Sequence, residues 1–493
     1  MSSWAPGHVH FGPAYLEGGK ANSFYDGAQT ISRVYRGLIA VLIAFSGCAS
    51  EAGRDSSAAP EKTYDGWRVS APAAFDARVG LLDSMVQDIE TGEYVNIHSV
   101  LLVKDGVLVL EEYFEGNDRS TLHEIRSATK SIGSMLAGIA IDQGFLPSEN
   151  EPIYVFFEDD YAPSDGWSSR AKQVEFRHLM SMMSGYDCDD LSTNFACEDA
   201  MYDTDDWVQY SLDLPFAYEP GSHWAYNSSS LILVGEVMAR ASKSKVDEFA
   251  DRYLFEPLGI KRFRWQMSPK GRAWIGGGAR MVPREMAKIG LLMLNRGMWN
   301  GQRLLSEDWI DKSTHKQGDM AGAGVDYGYL WQRGWSYIGG ERVTAYWASG
   351  NGGQYIIVLP DNGMVAIFTG GNYNSPLANQ PFGLLVDYIL PAFFQPPSLE
   401  VTSLTAEEMQ RLVGTYALDF EPSATSTIHI DGDRLRLISP DDETIDLVAH
   451  SPTFFTGESQ HGHLTFVFEE NPQGEIFRHI VYGGFQRFVL DKQ

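Results

Sequence analysis

Two runs rich in β-branched and aliphatic residues flank Asp105-Gly106 within SVLLVKDGVLVLEEYF (99–114), the pattern of a hairpin closed by a type I′ turn. At Ser127 the period changes. Ile132, Met135, Leu136 and Ile139 fall at i, i+3, i+4 and i+7, with Ser127 as N-cap and Gly144 beyond the last turn. Helical spacing returns at 228–241 (Leu231, Val234, Val237, Met238), at 283–296 between Pro283 and Gly297, and at 381–390, where Pro391 is expected to end the helix. Tyr355 to Leu359 and Met364 to Thr369 form strands around Asp361-Asn362-Gly363. Helices thus stand between an N-terminal hairpin and later strands. This order predicts an α+β fold, an α/β sandwich in which one antiparallel sheet is flanked by helices and carries an inserted, mostly helical region.

Gln395-Pro396-Pro397-Ser398 breaks the pattern and places a linker at 395–404. Beyond it Thr405-x-x-Glu408 is a capping-box start, and only strand signals follow, at 427–438 around Asp431-Gly432, at 464–468 and at 475–482. Residues 405–493 are therefore expected to form a small β-barrel-like domain. At the other end, Gly37 to Phe45 (GLIAVLIAF) is apolar, follows Arg33 and Arg36, and precedes Ser46-Gly47-Cys48. A span needs about 20 residues, so this stretch reads as the h-region of a signal peptide. Its ending resembles the lipobox of bacterial lipoproteins, with Phe45 in place of the usual Leu or Val. Residues 1–48 are expected to be an extension and signal peptide, with lipidation at Cys48, and one account of the long prelude is a translation start near Val34. Residues 49–72, rich in Ser, Ala, Gly and charge, are expected to be a flexible tether to a body at 73–394. The protein would then be exported to the periplasm and meet a membrane only through that anchor.

Hydrophobic residues make up 44% and charged residues 21% of the 493, which excludes a disordered chain and a disulfide scaffold. Asp and Glu number 65 against 38 Lys and Arg, a formal charge of -27 that repels phosphate backbones, so nucleic acid is not an expected partner. Cys188 and Cys197 lie nine apart, and an oxidising compartment favours their pairing over two free thiols.

A Ser-x-x-Lys pair on a helix sets hydroxyl and amine one turn apart, where a neutral lysine takes the serine proton. The spacing occurs at Ser127/Lys130, Ser169/Lys172, Ser242/Lys245 and Ser313/Lys316, and only the first opens an apolar helix after a strand pair. Its helix dipole favours a developing alkoxide. Tyr226, before Asn227 and Ser228, stands where a loop gives way to a helix, a position from which a phenol can shuttle a proton. Trp347 to Gln354 (WASGNGGQ) brings glycines between strands, where backbone N–H groups can approach a substrate oxygen. No G-x-S-x-G, H-E-x-x-H or C-x-x-C is present. The acidic loop 187–206 lacks Gly at the sixth calcium-loop position, which is Ser192, and is read as a solvated loop; His461-Gly462-His463 is read as a strand-edge pair. No metal or organic cofactor is implied.

Order and spacing of these segments resemble the serine β-lactamase, penicillin-binding-protein and esterase superfamily over about residues 75–392, in its class C-like branch. Ser127-Ala128-Thr129-Lys130 matches the first motif, Tyr226-Asn227-Ser228 the tyrosine motif, and the glycine-rich turn the third. RHLMSMMSG, YEPGSHWAYNS and RMVPREMAKIGLLMLNRG strengthen the likeness, which is greatest to 6-aminohexanoate-dimer hydrolases and family VIII carboxylesterases. The resemblance implies a serine hydrolase at 73–394 that cleaves a small ester or amide through an acyl-enzyme. Ser127 would be the nucleophile, Lys130 and Tyr226 general base and acid, and the backbone N–H groups of Ser127 and Asn351 the oxyanion hole. Ser228 and Gly350 would line the substrate pocket. His123 is not called for. The chain departs from the Tyr-x-Asn and Lys-Thr-Gly of β-lactamases. The third motif is Ala348-Ser349-Gly350, with Asn351-Gly352-Gly353 as the other register, and neither offers a cation for a β-lactam carboxylate. A D-amino-acid peptidase or β-lactamase of the same superfamily, and a non-catalytic envelope-binding lipoprotein, are the competing readings.

Overall fold

The structure, a computed structural model, describes residues 57–493 except 192–196, 321–323, 397 and 461. Cys48, the apolar stretch at 37–45, Ser192 and His461 lie outside the described residues. Among the described residues no helix is long and apolar enough to cross a membrane.

The sheet has eight strands: β1 (Ile97–Lys104), β2 (Val107–Tyr113), β3 (Gly318–Met320), β4 (Val325–Tyr327), β5 (Gln332–Ile338), β6 (Glu341–Gly350), β7 (Gln354–Leu359) and β8 (Met364–Gly370). Their order is β2-β1-β8-β7-β6-β5-β4-β3, and every pairing is antiparallel. The two ends of the chain's first domain therefore meet mid-sheet, with Val100 opposite Phe368. The expected first hairpin turns at Asp105 and Gly106, both at positive φ. Strands β3 to β6 left no clear alternation in the sequence. Their buried residues mix small and large types, Gly334, Ser336 and Ile338 in β5 and Val343, Ala345, Tyr346, Trp347 and Ala348 in β6, which blurs the apolar pattern.

Strands β7 and β8 are buried at every position because helices cover both faces. On one face α1 (Val79–Thr91) presents Leu82, Met85, Val86 and Ile89, and the C-terminal helical run presents Leu384, Leu385, Ile389 and Leu390 to Val100, Leu102, Ile357 and Phe368. On the other, α2 (Ala128–Asp142), α3 (Leu231–Ser242) and α4 (Pro283–Leu294) share a core with Leu101, Val103, Ile356, Val358 and Ile367. Helix α4 approaches so closely that a Cβ on Gly290 would stand 2.4 Å from Val365. Pro391 does not end the last helical run as expected. The helix Gln380–Leu384 widens into one π-turn at Leu385–Ile389 and resumes over Leu390–Phe393, a widening that accommodates the missing N–H and the ring.

The tether expected at 49–72 is not free over its described part. Trp67 is buried and donates its indole N–H to the Arg284 carbonyl at 3.2 Å, and Arg284 reaches back to Asp65 at 2.8 Å and the Glu61 carbonyl at 2.8 Å. A large aromatic and a buried guanidinium outweigh the polar composition here.

After the capping box at Thr405–Glu408, eight antiparallel strands from Gly414–Leu418 to Gln486–Lys492 close a barrel, the first pairing with the last. Closure leaves no free strand edge. The hairpin between Ile476–Gly483 and Gln486–Lys492 seats its tip on the sheet: Phe485 is buried beside Trp347 and Phe382, and the Arg487 N–H donates to the Gly324 carbonyl at 2.9 Å.

Candidate active site

Arg126 holds φ at 49°, the left-handed region, and this bend delivers Ser127 at the first turn of α2. Three bonds fix the bend: Ile125 N–H donates to the Ala279 carbonyl at 2.9 Å, Thr129 Oγ1 to the Arg126 carbonyl at 2.6 Å, and Ala279 N–H to Thr129 Oγ1 at 3.3 Å. The Ser127 hydroxyl does not cap its own helix. It lies 2.8 Å from Lys130 Nζ instead. Lys130 is 2% exposed, and its Nζ donates to the Gly276 carbonyl at 2.5 Å. In the other three Ser-x-x-Lys pairs the lysine is exposed.

Tyr226 sits across the cleft, its ring centroid 4.9 Å from Lys130 Nζ. Trp224 and Tyr327 pack around the phenol ring at 6.1 and 6.5 Å between centroids. Burial, with the neighbouring Tyr226 as a lesser cause, raises the Tyr327 phenol well above its ordinary pKa, so Tyr327 stays protonated. Ser127 and Tyr226 are both partly exposed, so the cluster opens to solvent. Ser127, Lys130 and Tyr226 are thus brought together.

Ser228, expected to line the substrate pocket, does not: it is fully buried and its Oγ is without a hydrogen-bond partner. The three residues after Asn227 wind inward to start α3, with Ser230 N–H and Ser229 Oγ donating to Asn227 Oδ1 at 2.9 and 2.8 Å, and this turns the serine into the core. Gly350 ends β6 directly behind the nucleophile's loop, where an added Cβ would stand 2.2 Å from the Ile125 carbonyl oxygen. It is buried, so it backs the site and is not a pocket wall. Asn351 is exposed at the turn into β7, and its side chain exchanges bonds with Asn374 at 2.6 and 2.8 Å. His123 lies apart from the serine, buried with Nε2 2.8 Å from His98 Nδ1, and burial pushes its imidazole down to about 4.

Cys188 and Cys197 are joined in a disulfide. With Asp190 they form the one group of His, Cys, Asp or Glu among the described residues spaced to hold a metal ion. The sulfurs are bonded to each other and are not thiolates, which leaves one carboxylate, short of the three or four ligands a structural or catalytic zinc takes from protein. The concavity lined by Pro152, Lys172, Glu175, Arg177, His178 and Gly221 contains none of the three clustered side chains. Sequence reasoning missed Tyr327, Trp224, the Gly276 carbonyl and Asp190. Tyr327, the Gly276 carbonyl and Asp190 reach the cluster across a long separation that no local pattern marks, whereas Trp224 stands two residues before Tyr226 and is an aromatic with no spacing of its own to single it out.

Residues 94–381 match the model of the Beta-lactamase family. Lovastatin esterase of Penicillium rubens is 25% identical over 200 residues, covering 34% of this chain and 49% of its own length. The 6-aminohexanoate-dimer hydrolase of Paenarthrobacter ureafaciens is 21% identical over 295 residues, covering 57% of this chain and 72% of its own. A Bacillus anthracis structure provisionally named a 6-aminohexanoate-dimer hydrolase superposes with a TM-score of 0.52 at 17% identity, over 62% of this chain and 82% of that one. With the family match spanning more than half of its residues, and the antiparallel sheet and flanking helices in place, the chain belongs to the β-lactamase family of hydrolases.

Proposed function

We propose that the protein is a serine hydrolase that cleaves a small ester or amide through an acyl-enzyme on Ser127. The observation that carries this reading is the 2.8 Å approach of Lys130 Nζ to Ser127 Oγ with the Tyr226 ring against the same nitrogen. Lys130 in its amine form takes the Ser127 proton as Oγ attacks the substrate carbonyl, and Tyr226 delivers a proton to the departing oxygen or nitrogen. The same groups then activate water, which attacks the acyl carbonyl and restores the Ser127 hydroxyl. The N–H groups of Ser127 and Asn351 are proposed to hold the oxyanion, and the pressing of Gly350 against the Ile125 carbonyl supports their closeness. Esters and unstrained amides are favoured over β-lactams because the third segment supplies no cation for a carboxylate. An exported, periplasmic setting, supported by the disulfide, and a Cys48 anchor, supported by the apolar stretch and Ser46-Gly47-Cys48, belong to the same proposal.

Labelling with a fluorophosphonate probe, followed by hydrolysis of short p-nitrophenyl esters, aminohexanoate oligomers, D-Ala-D-Ala peptides and nitrocefin, tests it. Ser127→Ala is expected to abolish both label and turnover. Unchanged esterase activity in that variant would overturn the reading, no label on the wild type would favour a binding lipoprotein, and a preference for D-Ala-D-Ala peptides would favour a peptidase.

A further inference from the structure

Tyr226 is held in its turn by a residue nearly forty positions earlier in the chain. The Asp190 N–H donates to the Tyr226 carbonyl at 2.7 Å, and Asp190 Oδ2 accepts from the Ser228 N–H at 2.7 Å. One residue therefore grips the peptide on both sides of Asn227, with its backbone N–H on one side and its carboxylate on the other. The other carboxylate oxygen, Oδ1, accepts from Glu198 N–H at 3.0 Å, at the start of the helix Cys197–Tyr202. The disulfide ties Cys188 to Cys197, and Asp190 lies within the ring it closes. Asp190 is thus fastened at its back to a covalent loop and at its front to the tyrosine turn. Its side chain reaches no group of the Ser127–Lys130 pair, whose position is set by α2 and the Gly276 carbonyl.

We infer that Asp190 is a positioning residue for the proton-donating step: it sets the Tyr226 phenol over the cleft, while leaving the serine and lysine in place. The inference rests on the serine-hydrolase reading and deepens it. A carboxylate accepting two backbone N–H groups satisfies donors that are otherwise orphaned at a chain reversal, and holds the turn more tightly than a neutral acceptor would.

The consequence is specific to the leaving group. A p-nitrophenolate departs without help, whereas an alkoxide needs the proton that Tyr226 carries, and general acid catalysis is worth roughly 10²–10⁴-fold. Two esters with the same acyl group, one p-nitrophenyl and one ethyl, are compared in wild type, Asp190→Ala, Asp190→Asn and Tyr226→Phe. The Asp190→Ala variant is expected to lose about 10-fold or more in kcat/KM, which reports acylation and not the water step the two esters share, on the ethyl ester and less than about 3-fold on the p-nitrophenyl ester, in the same sense as Tyr226→Phe. Fluorophosphonate labelling of Ser127 is expected to survive. Asp190→Asn keeps an oxygen for the Ser228 N–H and is expected to fall between wild type and Asp190→Ala, and it serves the same comparison if the alanine variant does not fold. Equal losses on the two esters, or no loss on either, would overturn the inference with the hydrolase reading intact. A wild type that neither labels nor turns over either ester would overturn both.

Discussion

The barrel carries a histidine whose cost can be worked out. His479 is fully buried, its ring lies 4.6 Å from Tyr416 and 5.2 Å from Phe468 between centroids, and neither ring nitrogen has a hydrogen-bond partner. Burial pushes the imidazole from its ordinary 6.5 down to about 3. Between those values the unfolded chain binds a proton that the folded barrel refuses, so stability is present above pH 6.5 and is lost as the pH falls towards 3. At pH 5 the distance from the ordinary value is 6.5 − 5 = 1.5, which at about 1.36 kcal/mol per unit costs about 2 kcal/mol. Replacing His479 with Phe keeps an aromatic ring among the same neighbours and removes the titration. Guanidinium unfolding at pH 7 and pH 5 checks this: from the higher to the lower pH, wild type should lose about 2 kcal/mol more than His479→Phe. At pH 7 the variant should be at least as stable, since two unpaired buried nitrogens are gone, each a burden of about 1–3 kcal/mol, less any cost of the larger ring. An identical pH dependence in the two proteins would refute the argument.

Two further outcomes follow from packing. Gly350→Ala places a Cβ 2.2 Å from the Ile125 carbonyl oxygen, and relief must come from the backbone that carries Ser127, so kcat on a p-nitrophenyl ester should fall at least about 10-fold for a stability loss of about 1–3 kcal/mol; wild-type turnover would refute it. Glu111→Gln removes the charge that faces Arg284 at 2.5 Å and Arg119 at 2.9 Å, with the Glu111 and Arg284 side chains 2% and 3% exposed, and should cost about 3 kcal/mol in guanidinium unfolding, whereas a cost below about 1 kcal/mol would show that Asp65 suffices as partner.

The parts of this protein that depend on neighbours in sequence were readable without coordinates. Asp105-Gly106 between two apolar runs defines a hairpin, the 3.6-residue spacing after Ser127 defines a helix, and Thr405-x-x-Glu408 defines a helix start, because turn chemistry, period and capping act within a few residues. One turn of helix likewise ensures that Ser127 and Lys130 share a face. Spacing alone did not separate the four such pairs; the apolar helix after a strand pair singled out Ser127 and Lys130. What only the structure supplied is the burial of Lys130 against the Gly276 carbonyl, from a segment nearly 150 residues away. Distance in sequence also hides the grip of Asp190 on the Tyr226 turn, the burial of Ser228, and the seating of Phe485 on the sheet. The reason is the same in each case: a carboxylate, a hydroxyl or an aromatic ring has no periodicity of its own, and its partner is chosen by packing between elements that the chain brings together only when the sheet closes over its helices.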